Sequence, residues 1–320
     1  ELFRLAHEWV DAAPKSARAW FAVGAYYYTC ERYHVAQRHF CRATRLDPHC
    51  SEAWIAFGTS FAACDESDQA LASFRAAQRL APGDHTSLLY IGMEYLRTNH
   101  LTLAQHFLQA AHHSSSGTDS LCKNELGVLC MTQKNFPAAI RWFLKALVGG
   151  GNDETHITID DIPTVLDGYW EPTLFNLGQA YRKTRKFVEA SKCFQRCLAL
   201  KESASAYAAL AFCKHLQGDF DAAIDTYHQS LSRKPDDPFC SEMLHRCLQD
   251  ALEQTNMLGD DDPSLSMQHP HQQQQHPHHS AVGTPIHRHP PNKPQSSSLW
   301  TDDGEGLSIS VESHASDVDM

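Results

Sequence analysis

The fold is decided by AWFAVGAYYYTCERYHVAQRHFCRATRLDP, residues 19–48, because residues 53–82 repeat its pattern as AWIAFGTSFAACDESDQALASFRAAQRLAP. Positions of the same kind recur at a constant offset of 34 residues. They are Trp20, Val23, Gly24, Tyr27, Ala36, Phe40, Ala43 and Pro48, matched by Trp54, Phe57, Gly58, Phe61, Ala70, Phe74, Ala77 and Pro82. A fixed offset with conserved residue classes indicates an internal repeat.

The order of small and large residues within one repeat predicts two helices joined by a short turn. Gly24 and Ala36 are small where the two helices cross, and Ala43 is small where the next repeat packs, while aromatic residues fill the spaces between crossings. Pro48 ends the second helix, because it lacks a backbone donor and its ring clashes with the preceding turn. This pattern and period are typical of tetratricopeptide repeats (TPRs). The sequence therefore predicts an all-α TPR solenoid, a right-handed superhelix of antiparallel helix pairs.

Weaker copies of the pattern extend the solenoid over residues 1–254. The predicted repeats are 17–50, 51–84, 85–119, 120–147, 171–203 and 204–237. Residues 1–16 are interpreted as a partial repeat, so we expect the chain to begin within a longer protein. Residues 148–170 form an insertion in which the segment from Ile157 to Ile162 could pack back on the solenoid. A capping helix is predicted over 239–254, with Leu248 and Leu252 among its inward-facing residues.

The composition changes after residue 254. Residues 255–320 are rich in His, Gln and Pro and then in Ser and acidic residues. Such a segment cannot bury enough apolar area to offset its ordering entropy, so we predict a disordered C-terminal tail. Its histidines are irregularly spaced and interrupted by prolines, which argues against a metal site there. Thr284, before a proline, and Ser316, before an acidic run, are candidate phosphorylation sites.

Charge and composition exclude several classes of function. The net charge is −11 and no basic cluster stands out, so we expect no nucleic-acid partner. No run of about 18 apolar residues occurs, so we expect no membrane partner. The 11 cysteines include no CxxC pair, which favours reduced thiols in the nucleus or cytoplasm. Catalytic and cofactor-binding motifs are absent from the sequence, so we predict no catalytic residue, no cofactor and no bound metal.

In a superhelix of this kind, the first helix of each pair lines the concave groove, where a partner binds. The groove-facing residues predicted to bind a partner are Phe21, Tyr28, Ile55, Leu89, Met93, Asn124, Val128, Phe175, Gln179 and Arg182. This lining is mostly apolar, with polar groups in its later half. It suits an extended or helical peptide whose side chains need pockets and whose backbone needs a few hydrogen bonds. The alternative for Leu89 and Val128 is that they pack against neighbouring helices.

Several segments together resemble one family more closely than the repeat pattern requires, because YIGMEY (90–95) and WEPTLFNLGQ (170–179) are not needed for the repeat. The segments are AWFAVGAYYY (19–28), AWIAFGTSFA (53–62), LLYIGMEYLRTN (88–99), RWFLKAL (141–147), WEPTLFNLGQAYRK (170–183) and ASAYAALAFCKHLQGDFDAAIDTYHQSL (204–231). Over residues 1–250 the sequence resembles the Cdc16-type TPR subunit of the anaphase-promoting complex.

The resemblance implies a non-catalytic scaffold in a multisubunit ubiquitin ligase that controls mitotic progression. Its implied partners are other subunits of the complex, including other TPR subunits and a small helical subunit held in the concave groove between Leu89 and Arg182. It also implies a homodimer, formed through N-terminal repeats that this sequence lacks. The alternative is a free-standing TPR adaptor or cochaperone that binds peptide segments of its partners. Phe21 and Ala25 stand where a cochaperone would begin its carboxylate clamp, which counts against that alternative.

Overall fold

A computed structural model describes residues 2–149 and 157–259, and these ranges contain helices and turns but no β-strand. The predicted tail from residue 260 onward, with Thr284 and Ser316, lies outside the described residues, as do residues 150–156 of the insertion.

The described ranges hold a regular succession of α-helices. They are α1 (Leu2–Ala12), α2 (Ala17–Thr29), α3 (Tyr33–Leu46), α4 (Ser51–Ala62), α5 (Ser67–Leu80), α6 (His85–Arg97), α7 (Leu101–Ser114), α8 (Ser120–Thr132), α9 (Phe136–Val148), α10 (Glu171–Lys183), α11 (Phe187–Leu200), α12 (Ala204–Leu216), α13 (Phe220–Arg233) and α14 (Pro238–Gly259). None of them is long and apolar enough to cross a membrane.

The helices pack as consecutive pairs. The first helices of the pairs (A helices) are α2, α4, α6, α8, α10 and α12, and each packs against the helix that follows it, its B helix. Each B helix also packs against the next helix along the chain, so every pair touches its neighbours. This arrangement confirms the prediction of an all-α TPR solenoid.

The two helices of a pair cross at the glycine that the sequence singles out. A Cβ added at Gly58 would lie 2.4 Å from the ring of Phe74, and one added at Gly178 would lie 2.7 Å from the ring of Phe194. Phe194 and the small residue Ala190, both on the helix that faces Gly178, are fully buried. The crossings therefore depend on a missing side chain opposite a large ring, as the ridge-and-groove pattern predicts.

A left-handed residue forms the turn between the A and B helices of every pair. The residues and their φ angles are Glu31 (58°), Asp65 (60°), Asn99 (60°), Lys134 (58°), Arg185 (61°) and Gly218 (81°). The residue after it donates its backbone N–H to a carbonyl of the A helix, as from Glu66 to Phe61 at 3.0 Å. Glycine adopts this conformation most easily, yet just one of these six positions, Gly218, is a glycine.

The insertion packs against α11. Two short 3₁₀ segments, Ile159–Asp161 and Gly168–Trp170, follow the part of it that is not described. Ile159 and Ile162 are buried in the same hydrophobic cluster as residues of α9 to α11. Arg196 of α11 donates to the carbonyls of Ile159 at 3.3 Å and of Ile162 at 3.2 Å. One arginine thus joins the insertion to the second helix of the fifth pair.

The last helix, α14, covers the end of the solenoid with Cys240, Met243 and Cys247. The prediction that Leu248 and Leu252 also face inward is wrong, since they are 43% and 63% exposed. The thiol of Cys247 lies 3.8 Å from the carbonyl of Phe220, the first residue of α13. The residues of α14 that follow Cys247 therefore extend beyond the first residue of α13. The helix runs to Gly259, so it includes the first residues of the segment that the sequence assigns to the tail.

Candidate partner-binding groove

The A helices touch one another along the solenoid, from α2 to α4 and onward to α12. We use the term groove for the surface formed by the exposed sides of these helices. Stacked repeats create an extended concave surface of this kind, which such proteins use for binding. The groove is therefore the place to examine the predicted residues.

The structure separates the predicted residues into two groups. Those that are partly exposed are Phe21, Tyr28, Ile55, Met93, Asn124, Phe175 and Arg182. Leu89 and Val128 are 2% and 6% exposed and belong to hydrophobic clusters between repeats, which is the alternative that the sequence leaves open for them. Gln179 is 9% exposed. Seven of the ten side chains thus offer surface to a partner, and Gln179 offers a small part of one.

Polar side chains in the later half of the groove are joined across two repeats. The hydroxyl of Thr173 on α10 donates to the amide oxygen of Asn124 on α8 at 2.9 Å. The amide nitrogen of Asn124 donates to a carboxylate oxygen of Glu125 at 3.0 Å. Because Asn124 accepts from one neighbour and donates to another, its side-chain amide is held in a fixed orientation.

Glu125 is a buried carboxyl group at this site. Burial raises its pKa from the ordinary value to about 7, and the hydrogen bond from Asn124 opposes this shift. Desolvation favours the neutral form of an acid, so the carboxyl is partly protonated near neutral pH. The floor of the groove at α8 is therefore less negative than the sequence suggests.

Gln179 and Arg182 lie one turn apart on α10 and form a second polar pair. The guanidinium Nε of Arg182 donates to Oε1 of Gln179 at 2.9 Å. The same guanidinium lies 5.3 Å above the ring of Phe212 on α12, a cation–π distance. The buried Nε2 of Gln179 has no hydrogen-bond partner among the described residues. An amide donor without a partner is costly to bury, so a ligand carbonyl that reached it after a small side-chain rotation would stabilise it.

Aromatic side chains provide the apolar part of the groove. The ring of Phe175 packs edge-on against that of Phe194, with centroids 5.4 Å apart. In the first repeats, Phe21 packs against Phe40 at 5.7 Å and Tyr28 against Tyr33 at 5.3 Å. Each groove ring thus rests on a ring of the following B helix, which fixes its position.

Glu125, Thr173 and Phe212 belong to this groove without being among the predicted site residues. Glu125 and Thr173 are buried, and the repeat pattern does not distinguish such polar residues from solvent-facing ones. An acidic residue directly before the apolar run of α8, Leu126 to Met131, is the signal that could have drawn attention to Glu125. Phe212 occupies a groove position of the repeat, where a large ring could have been selected.

Comparison with known proteins shows which proteins the repeat region resembles. Models of the tetratricopeptide repeat match residues 26–85, 172–203 and 204–237. Anaphase-promoting complex subunit 6 of Arabidopsis thaliana is 45% identical over 251 residues, covering 78% of this chain and 44% of the relative. Cell division cycle protein 16 homolog of Homo sapiens is 37% identical over 251 residues, covering 78% of this chain and 39% of that protein. Over the matched length the repeat region is thus similar to Cdc16-type subunits.

A solved Cdc16-type structure supports the same assignment. The crystal structure of the APC/C hetero-tetramer Cut9–Hcn1 matches with a TM-score of 0.67 and 30% identity, covering 77% of this chain and 45% of that chain. The predicted resemblance to the Cdc16-type subunit is thereby confirmed. The chain spans less than half the length of the Cdc16-type relatives that it matches.

Proposed function

We propose that this chain is a non-catalytic TPR scaffold subunit of the anaphase-promoting complex, a multisubunit ubiquitin ligase controlling mitotic progression. The proposal rests on the named Cdc16-type relatives, of which this chain covers less than half. Its other proposed features are a location in the nucleus and cytoplasm, homodimerisation through N-terminal repeats, and contacts with further TPR subunits. Neither nucleic acid nor membrane is a proposed partner.

The groove is the proposed site for a small helical subunit. The solved relative is a hetero-tetramer of Cut9 with Hcn1, so a second, different chain binds that protein. In this chain the observation that carries the proposal lies on one face of α10, where the partly exposed ring of Phe175 and the amide nitrogen of Gln179 are one turn apart. That nitrogen is buried without a hydrogen-bond partner, so a small rotation of the side chain would bring it to a ligand. A peptide could place an apolar side chain against the ring and a backbone carbonyl against the donor.

Arg182 keeps that donor in place. Its guanidinium binds the oxygen of Gln179, so the amide nitrogen is the end left without a partner. Stacking on Phe212 fixes the guanidinium in turn. Arg182→Glu would remove the donor to Gln179 and place a negative charge beside its amide oxygen, so we expect the amide to turn and its nitrogen to be no longer available to a ligand.

The test is affinity purification of the full-length protein from mitotic cells, followed by mass spectrometry. Three baits are compared: the wild type, Arg182→Glu, and Lys183→Glu as the matched control. Lys183 is exposed and adjacent on the same helix, and its substitution makes the same change in charge. We expect all three to recover the ligase subunits and Arg182→Glu alone to lose a small helical protein.

Other outcomes separate the parts of the proposal. Recovery of the small protein with Arg182→Glu at wild-type levels would mean that its binding site lies outside this part of the groove. Recovery of chaperones without ligase subunits would favour a free-standing adaptor or cochaperone over a ligase scaffold.

A further inference from the structure

Two neighbouring turns bring together three side chains that commonly bind metal ions. His34 is the second residue of α3, while Cys64 and Glu66 lie in the turn between α4 and α5, one repeat later. The ligand atoms of these residues all lie within 4.8 Å of one another. Among the residues that the structure describes, no other group of His, Cys, Asp and Glu meets this criterion.

The spacing between two of the ligand atoms fits a tetrahedral metal ion. The Sγ of Cys64 lies 3.7 Å from the Nδ1 of His34. A zinc ion with a Zn–S bond of about 2.3 Å and a Zn–N bond of about 2.0–2.1 Å, at a tetrahedral angle, would separate these atoms by roughly 3.5 Å. Little movement is therefore needed for both side chains to bind one ion.

The local structure holds the ligands where they are. Asp65, between the two ligands of the second turn, is in the left-handed conformation, which fixes the directions of Cys64 and Glu66. Arg97 of α6 forms a salt bridge with Asp65 from the next repeat. On the other side, the Nε2 of Gln37 donates to the carbonyl of Ser60 at 3.2 Å. Its Oε1 lies 3.4 Å from the Nδ1 of His34, a contact that zinc would replace, because a ring nitrogen bound to a metal carries no proton to donate.

The same place in the next repeat shows that this chemistry is not a general property of the turn. A shift of 34 residues from the three ligands leads to Asp68, Thr98 and His100. There the Nδ1 of His100 lies 3.0 Å from the hydroxyl of Thr98, an ordinary hydrogen bond. A hydroxyl is not among the usual ligands of zinc, whereas a thiolate is. The set of residues, rather than the backbone, distinguishes the first site.

We propose that His34, Cys64 and Glu66 bind a zinc ion that links the first two complete repeats, with water at the fourth position. Nitrogen, sulfur and carboxylate oxygen together suit this borderline-soft ion. An open cavity lined by His34 and Cys64 leaves access for the water. Since a solenoid is stabilised by contacts between neighbouring repeats, a bond between two of them strengthens one interface directly.

Metal binding at this site releases a proton. A cysteine thiol with no metal bound carries its proton at neutral pH. On binding, the S–H bond is replaced by an S–Zn bond and the proton passes to solvent, with no change in oxidation state. Affinity for zinc should therefore increase with pH.

The test measures Cys64 itself, so that weak zinc uptake by any other histidine or cysteine of the chain does not affect the result. The full chain is treated with a chelator and then alkylated with iodoacetamide, with or without added zinc ion alone, and the rate at each cysteine is followed by peptide mass spectrometry. We expect zinc to slow alkylation of Cys64 by at least about tenfold in the wild type, as metal bonding removes the free thiolate.

His34→Ala and Glu66→Gln should abolish this protection, while the exposed Cys30, one repeat earlier at the same turn position, serves as the internal control. His34 is exposed, so its substitution leaves the core unchanged. Unchanged alkylation of Cys64 on adding zinc would overturn the proposal. Full protection that persists in both variants would also overturn it, because the other two side chains would then not be ligands.

Discussion

Gly178→Ala tests how the helix crossing supports the groove. The new methyl group would lie 2.7 Å and 2.8 Å from two ring carbons of Phe194, which is fully buried and has no solvent space to move into. Overpacking of a core costs about 1–3 kcal/mol. Replacing a helical glycine by alanine returns about 0.5–1 kcal/mol. We therefore expect a net loss of about 0–2.5 kcal/mol in the free energy of unfolding.

The same substitution should alter the groove. Phe175 packs against Phe194, so a ring displaced by the new methyl group would shift the groove ring as well. We expect weaker retention of the small subunit by Gly178→Ala, in addition to its lower stability. The stability assay is urea unfolding followed by circular dichroism, with the slope of the transition compared between variants.

Two further variants make this test decisive. Gly83→Ala is the matched control, since a Cβ there would meet no atom within 4 Å, and its stability should change by less than about 0.5 kcal/mol. In a Phe194→Ala background the ring is gone, so Gly178→Ala should become stabilising. If Gly178→Ala stabilises the wild-type protein, as it would in an uncrowded helix, the reasoning about the crossing is refuted.

Three other perturbations have defined expectations. Arg97→Ala should lower the free energy of unfolding, measured with urea, by about 2–3 kcal/mol, because it leaves the 3%-exposed carboxylate of Glu94 without its partner. Glu94→Gln in the Arg97→Ala background should recover part of this loss, and no recovery would contradict the account. Arg196→Ala should free the insertion, seen as faster limited proteolysis within residues 157–170, whereas an unchanged rate would show that the arginine does not hold it. Burial raises the pKa of Glu125 to about 7, so the contribution of this carboxyl to stability is full below its unfolded-state pKa and falls as pH rises to about 7. Glu125→Gln should remove this fall, and at pH 8 the variant should unfold at a higher urea concentration than the wild type. Equal dependence of stability on pH in the two proteins would contradict the expectation.

The parts of the fold that depend on local pattern could be predicted from the sequence. Gly58 and Phe74 are 16 residues apart within one repeat, and their sizes alone indicate a close crossing. The left-handed turns at Glu31 and Lys134 could not be foreseen in this way, since neither residue favours that conformation. The repeat geometry imposes it on whichever residue occupies the position.

The groove residues show where sequence reasoning stops. Repeat position assigns Leu89 to the groove, yet the packing of consecutive pairs buries it, and position alone does not give the exposed fraction. The bond from Thr173 to Asn124 joins residues that are 49 positions apart across the insertion. The histidine and thiol of the proposed zinc site are likewise 30 positions apart, so their meeting depends on how one repeat stacks on the next.

The central claim is that a small helical subunit lies in this groove, and site-specific photo-cross-linking tests it most directly. A photoreactive residue is placed at Phe175, or at Leu103 on the B helix α7 as the control, since Leu103 is 42% exposed and lies on the other helix of its pair. Both proteins are assembled with their cellular partners before irradiation. We predict that position 175 cross-links to the small subunit and position 103 does not. Cross-linking of the small subunit from position 103 and not from position 175 would contradict the account.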